Sequence, residues 1–271
     1  MSTISLPTKR PFSWKVFWFI LALLIPATFA SLPYALTLQS ATLQANEWPS
    51  VVIGTLVNGL IYGVLAGIGL FLAGRIGLGL PFVEGWLRKE RTGYRFQKVL
   101  VISVVIGVAV GLILLGIGRL VFMPLLTAQL DSLGISIPED VTPPAWQGFL
   151  ASFSAGITEE VIFRLFGLTL LAWLGSLVSR DSEGRPSPVV FWIANILIAV
   201  AFGLAHLPIT ATVGLPLTPL VIVRAITLNG IGGLISGWLY RQYGLESAVL
   251  AHFSCDVVLH VLVPLVAPLA L

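Results

Sequence analysis

Apolar residues run in seven long blocks along the chain, at 14–38, 50–73, 99–125, 146–178, 189–207, 218–240 and 246–264, with polar and charged residues gathered mainly in the stretches between them. Blocks of about 20 apolar residues have the length at which an α-helix crosses a bilayer core. The pattern predicts an all-α, polytopic transmembrane helix bundle of about seven spans. It divides into N-terminal membrane helices over 1–145 and a helical core over 146–271, built from the last four spans. Gly54, Gly59, Gly63 and Gly67 in the second block, and Gly107 and Gly111 in the third, form small-residue faces suited to close helix packing. Between these blocks, 82–98 places Arg88, Lys89, Arg91, Arg95 and Lys98 around Phe82, Trp86, Leu87 and Tyr94, the pattern of a basic interfacial stretch on the cytoplasmic surface.

Composition sharpens this picture. Of 271 residues, 57% are hydrophobic and only 10% charged, whereas soluble domains carry about a quarter charged residues. A soluble globular protein is excluded. The single cysteine, Cys255, rules out an intrachain disulfide or a thiolate cluster. The net charge of +3 arises from Lys and Arg between the apolar blocks, so it points to anionic lipid headgroups as partners, and no nucleic-acid-binding motif is present.

The same charges orient the chain. Lys9, Arg10 and Lys15 precede the first block, the basic stretch follows the second, Arg180 and Arg185 follow the fourth and Arg241 follows the sixth. All fall on one side. The opposite loops hold Glu47, Asp131, Glu139, Asp140 and the uncharged stretch 208–216. The positive-inside rule then places the N-terminus in the cytoplasm and the C-terminus across the membrane. A basic start and small residues at Ala30 and Ser31 resemble a cleaved signal peptide, but an apolar run continuing through Leu38 suits an anchor better.

Ionisable residues inside a span are expensive and mark function or a buried partner. The fourth block contains Thr158-Glu159-Glu160-Val161-Ile162-Phe163-Arg164. Glu160 and Arg164, four apart with the acid first, share a face and are expected to form an ion pair. Glu159 points about 100° away, lacks that partner, and is the candidate general base or acid. The fifth block ends Phe202-Gly203-Leu204-Ala205-His206, and the seventh contains His252-Phe253-Ser254-Cys255-Asp256, with His252 and Asp256 on one face. His260 alone reads as a hydrogen-bonded core residue.

Three chemistries can use these groups. Glu159 and His206 can activate water while His252 and Asp256 stabilise an oxyanion. His206, His252 and Glu159 can instead ligate zinc. Buried carboxylates and histidines also form relays in transporters. The chain has no His-Glu-x-x-His, no Gly-x-Ser-x-Gly and no aspartate pair within the spans.

Glu159-Glu160-x-x-x-Arg164, then Phe202-x-x-x-His206, then His252-x-x-x-Asp256, in this order on successive helices, resembles the CAAX prenyl endopeptidase family (CPBP, or ABI) of intramembrane proteases. That family includes the Ras-converting enzyme and bacteriocin self-immunity proteins. The resemblance covers about 146–260. It implies an endopeptidase in which Glu159 and His206 activate water, Glu160 and Arg164 organise the site, and His252 with Asp256 forms the oxyanion site. The family's last motif often ends in Asn; with Asp here, residue 256 either donates as a protonated acid or orients His252. No cofactor is implied, with zinc the alternative, and the substrate is a hydrophobic or prenylated protein or peptide. The rival from another class is a non-enzymatic transporter, immunity or scaffold factor using the same cluster.

Rise along a straight helix puts Glu159 roughly 20 Å below the outer face and His252 roughly 9 Å above the inner one, depths that agree in a core about 30 Å thick. His206, counted from Pro188, falls roughly 27 Å from the inner face. Either its helix begins below the membrane, or the chain breaks at Pro208 and brings His206 toward the others. Arg224 in the sixth block is either a snorkelling side chain or a ligand for a substrate carboxylate.

Overall fold

Inside hydrocarbon every backbone N–H and C=O must be satisfied within the protein, by a helix or a closed barrel, and continuous apolar blocks of about 20 residues, twice the length of a barrel strand, become helices. The computed structural model of the chain describes residues 7–39, 44–89, 96–135 and 143–266. The sequence-predicted residues Arg91, Tyr94, Arg95, Glu139 and Asp140 lie outside them. Among the described residues, six helices are long and apolar enough to cross a membrane: α1 (Trp14–Leu38), α2 (Trp48–Ile76), α4 (Phe96–Ser132), α6 (Pro188–Thr212), α7 (Pro219–Tyr243) and α8 (Leu245–Val266). A short helix, α3 (Pro81–Arg88), follows α2. The fourth block is α5, residues 145–176, whose Glu159, Glu160 and Arg164 interrupt its apolar character. With α5 the helices match the expected number of about seven spans. Among the described residues no strand forms; Arg180 and Pro186 make one isolated bridge.

Helix ends follow local chemistry. Ser187 and Thr218 accept hydrogen bonds from the backbone N–H of Val190 and Val221, with Pro188 and Pro219 at the first helical position, where a missing N–H costs nothing. Gly244 alone joins α7 to α8 at φ 96°, where a Cβ would run into Pro81. That turn sets Glu246 against the start of α3, accepting from the N–H groups of Phe82 (3.0 Å) and Val83 (2.9 Å). Two of the orphan donors at that helix start are thereby satisfied.

The Gly244 turn is one piece of a common end. The Arg10 N–H bonds the Gly74 carbonyl at 2.9 Å, the Leu245 N–H bonds the Gly79 carbonyl at 3.0 Å, and the Arg10 guanidinium pairs with Glu84 and with the Leu78 carbonyl. Thr8 reaches the Glu183 carbonyl. The basic segments flanking α1, α2, α5 and α6 therefore gather at one end of the bundle. Towards the other end, His260 Nδ1 and Tyr34 Oη lie 3.1 Å apart.

α5 is the axis of the core. Its Ile157, Val161, Leu165, Leu168 and Ala172 are buried with Leu24 of α1, Ala66 and Ala73 of α2, and Ala248 of α8. The outer faces are as apolar as the core. Ile53 and Val64 on α2, Val105 and Leu112 on α4, and Ile193 and Leu197 on α6 are all exposed, as suits helices meeting lipid.

Small residues set the spacing. Gly59, Gly63 and Gly67 meet Ile25, Leu21 and Phe17 of α1, as the second-block face predicts, whereas Gly54 faces open space. Gly69 brings α2 against α5, where a Cβ would collide with the Leu165 carbonyl. Gly107 and Gly111 of α4 pack on the backbone of α8 at Ala251 and Cys255, directly beside His252. A Cβ at Gly107 would collide with the Ala251 carbonyl and with Ser254 Cβ, while one at Gly116 meets nothing within 4 Å. Gly107→Ala is therefore expected to cost about 1–3 kcal/mol by overpacking. Gly116→Ala should be neutral or stabilising by up to about 1 kcal/mol through helix propensity. Thermal melting of both variants in one detergent checks the contrast; equal melting points would contradict the packing.

Candidate active site

Two helices supply most of the polar cluster. In α5 the chain is α-helical over Ala145–Glu159 and π-helical over Glu160–Leu168 before returning to α over Thr169–Ser176. The wider turn moves the carbonyl partner of Thr169 to Arg164, five residues back, and the Thr169 hydroxyl bonds the same carbonyl at 3.0 Å and Tyr240 Oη at 3.0 Å. Such bulges commonly lie at functional sites.

Within that stretch Glu160 and Arg164 form the expected ion pair, Nη1 to Oε1 at 3.2 Å, with side-chain exposures of 0% and 1%. The Phe202 ring lies under the guanidinium, 4.6 Å from Cζ to centroid. Gly233 of α7 makes room for it, since a Cβ there would sit 3.3 Å from Nη2. Among the described residues the guanidinium makes no hydrogen bond; charge and a cation–π face hold it.

His252 of α8 joins the cluster in a way the spacing alone does not give. Its Nδ1 lies 2.7 Å from Glu160 Oε1, so the imidazole N–H donates to the carboxylate that Arg164 also neutralises. Its Nε2 faces Asp256 Oδ2 at 3.5 Å and Glu159 Oε2 at 3.8 Å. Both separations exceed an ordinary hydrogen bond. Glu159 Oε2 has no hydrogen-bond partner among the described residues, although its side chain is 29% exposed. Adjacent carboxylates therefore differ: Glu160 is sealed, with Oε1 shared by Arg164 and His252 and Oε2 without a hydrogen bond among the described residues, while Glu159 is partly exposed and its buried Oε2 faces His252 without bonding it.

His206 ends the first, long part of α6. That part runs Pro188–Ala205, and a short helix, Leu207–Thr212, follows with Pro208 in its first turn. The helix is interrupted at His206 itself, two residues before the Pro208 at which the second of the two sequence expectations puts a break. His206 Nδ1 lies 2.8 Å from the Phe202 carbonyl, an acceptor, so Nδ1 is the donor, and in the neutral imidazole Nε2 is the nitrogen left to accept. His206 is within electrostatic reach of Glu159.

Phe202 is the hub that sequence reasoning left without a role. Its ring makes edge contacts with Phe163 (5.0 Å), His206 (4.8 Å) and His252 (5.9 Å) as well as its contact with Arg164. One signal for it was present, its position one turn before His206. Tyr62 of α2, in electrostatic reach of Glu159, and Ser236 of α7, beside Glu160, carried no such signal. Arg224 forms no ion pair or hydrogen bond among the described residues. No group of three or more His, Cys, Asp or Glu side chains among the described residues is arranged to hold a metal ion.

Residues 141–258 match the model of a family described as Rce1-like, type II CAAX prenyl endopeptidase Rce1-like. The resemblance carried by the three motifs is borne out over that segment, and the match supports a CAAX-type intramembrane protease. No curated protein and no solved structure matches the chain.

Removing Glu160 leaves Arg164 as an uncompensated buried charge and His252 without its acceptor. Glu160→Ala is expected to lose about 3–5 kcal/mol of stability, read as a large fall in melting temperature in detergent. A melting point equal to that of the parent would show that the pair is solvated.

Proposed function

We propose that the protein is an endopeptidase that hydrolyses a peptide bond in or beside the membrane by activated water, without an acyl-enzyme and without a bound metal. The observation that carries the reading is the convergence of Glu159, Glu160, His252 and Asp256 from α5 and α8, with His206 in electrostatic reach. Glu159 has an unengaged oxygen and takes the proton of a water whose oxygen attacks the carbonyl carbon. His206 Nε2 is a second acceptor near that water. As the tetrahedral intermediate forms, His252 faces the negative oxygen. Collapse breaks the C–N bond, and the proton held by Glu159 passes to the leaving amine. Asp256 orients His252, while Glu160 and Arg164 fix the imidazole from its other side.

The substrate in this reading is a hydrophobic or prenylated segment of a protein or peptide entering from the bilayer, with membrane lipids as the surrounding partners. The gathering of Lys9, Arg10, Arg75, Arg180 and Arg241 segments at one end supports an N-terminus in the cytoplasm and a C-terminus across the membrane. Zinc held by His206, His252 and Glu159 remains the alternative chemistry that the test separates.

The test is cleavage of a quenched fluorescent farnesylated CAAX peptide by purified protein. Glu159→Gln and His206→Ala are expected to lose about 100-fold or more of the rate while melting like the parent. Full activity in either variant overturns the assignment of that residue. Activity unchanged by a chelator is expected; loss restored by added zinc would turn the same residues into ligands.

A further inference from the structure

At the end of the bundle where the basic segments meet, a cavity of about 510 Å³ opens between the start of α1, the end of α2 and the end of α5. Its walls include Lys9, Arg10, Arg75 and Arg180, with Trp173 and Ser176 on α5. Trp173 lies 14 residues beyond Glu159 on the same helix, about 20 Å along its axis. The cavity is therefore separate from the candidate active site.

The charge in it is unbalanced. Arg10 is committed to Glu84 and to the Leu78 carbonyl. Arg180 uses Nε on the Ser176 carbonyl at 2.5 Å, and Arg75 rests on the Phe71 ring with Cζ 4.4 Å from its centroid. Among the described residues, neither of these two nor Lys9 forms an ion pair, and no carboxylate lines the space. The acids of the adjoining 177–187 loop, Asp181 and Glu183, are both paired with Arg185. Three uncompensated cations thus border one concave space large enough for a small ligand. The helix C-termini there, whose carbonyls attract cations, are already bonded: Gly74 by the Arg10 N–H and Ser176 by Arg180.

Two guanidiniums and an ammonium bordering one cavity suit a phosphoryl group, which offers several acceptor oxygens and takes Arg forks bidentately. The indole of Trp173 and the side chain of Ile76, also in the wall, supply an apolar and amphipathic flank next to the charge. Trp at the level of helix ends is characteristic of the headgroup region. We propose that this cavity binds the phosphoryl headgroup of an anionic phospholipid, holding the ends of α1, α2 and α5 to the lipid surface. Free phosphate presents the same chemistry, so the test must tell the two sources apart.

Delipidated protein in a neutral detergent is titrated with phosphatidylglycerol, with phosphatidylcholine and, separately, with inorganic phosphate, and bound ligand is counted by native mass spectrometry. Phosphatidylglycerol is expected to bind in preference to phosphatidylcholine. Arg75→Gln/Arg180→Gln should weaken it by about tenfold or more, given the contribution of each basic residue to an anionic surface. Arg88→Gln/Lys98→Gln removes as much charge outside the cavity and should leave binding within about twofold of the parent. Equal losses in the two double variants would reduce the effect to general surface charge and overturn the site. Saturation by inorganic phosphate with no preference for phosphatidylglycerol would overturn the lipid source. Equal melting temperatures for the two variants in lipid-free detergent separate lost binding from lost folding. Should Arg75→Gln/Arg180→Gln unfold, Arg75→Lys/Arg180→Lys keeps the charge but removes both forks and is expected to bind phosphatidylglycerol several-fold more weakly than the parent; binding equal to the parent's would overturn recognition by the guanidiniums.

Discussion

An ion pair whose two members are 1% exposed or less, set midway along a membrane helix, constrains everything around it. Neither charge tolerates that environment alone, and even together they recover their desolvation cost only if the surroundings are shaped to them. The surroundings are so shaped. The π-helical stretch of α5 accommodates both side chains, Phe202 of α6 presents its ring to the guanidinium, Gly233 of α7 withdraws a side chain from it, and His252 of α8 donates to the carboxylate. Four helices are registered against one pair. A well-packed apolar pair would hold the bundle as firmly, so what the charges add is orientation, and the group they orient is the imidazole of His252.

Packing behind the cluster serves the same end. α8 is pressed from the far side by Gly107 and Gly111 of α4, which bring backbone against backbone at Ala251 and Cys255. α5 is pressed by Gly69 of α2 at the Leu165 carbonyl, inside the π-helical stretch. Hydrocarbon supplies no hydrophobic drive between helices, so close contact of small residues must supply the cohesion. Close glycine contacts of the same kind join α6 to α7, at Gly203 against the Ile226 backbone and Gly237 against Asn195, and α5 to α8, at Gly148 against the His260 carbonyl. Precision at the polar cluster therefore draws partly on α2 and α4, elements that contribute no chemistry themselves.

Much of this was legible in the chain. Apolar blocks located the helices because the period of burial and the bilayer thickness both act along the sequence, and four-residue spacing gave Glu160–Arg164 and His252–Asp256 because both pairs lie within one helix. What was not legible acts between helices. The contact of His252 with Glu160 joins residues 92 apart, and Phe202 meets its four partners through the crossing of three helices. Gly69 looked no different from Gly54, yet one touches α5 and the other faces open space. The depth of His206 could not be counted along one straight helix, because rise per residue says nothing of tilt or of where a neighbouring helix begins, and because α6 breaks at His206 itself.

The adjacent glutamates show how one helix turn separates two roles. Glu159 and Glu160 are chemically identical and differ by about 100° around the axis. That rotation takes Glu160 into a closed pocket where Arg164 and His252 both hold its Oε1, and leaves Glu159 at the edge, 29% exposed and with no cation or N–H fixed on it at hydrogen-bond distance among the described residues. A carboxylate held by two fixed partners cannot exchange a proton without disturbing both, whereas one with a free oxygen next to an imidazole can. Interchanging the two environments would put the mobile proton against Arg164 and leave the buried charge uncompensated. The order of the pair along the chain, first the reachable acid and then the sealed one, follows from Arg164 lying four residues after Glu160 and not after Glu159.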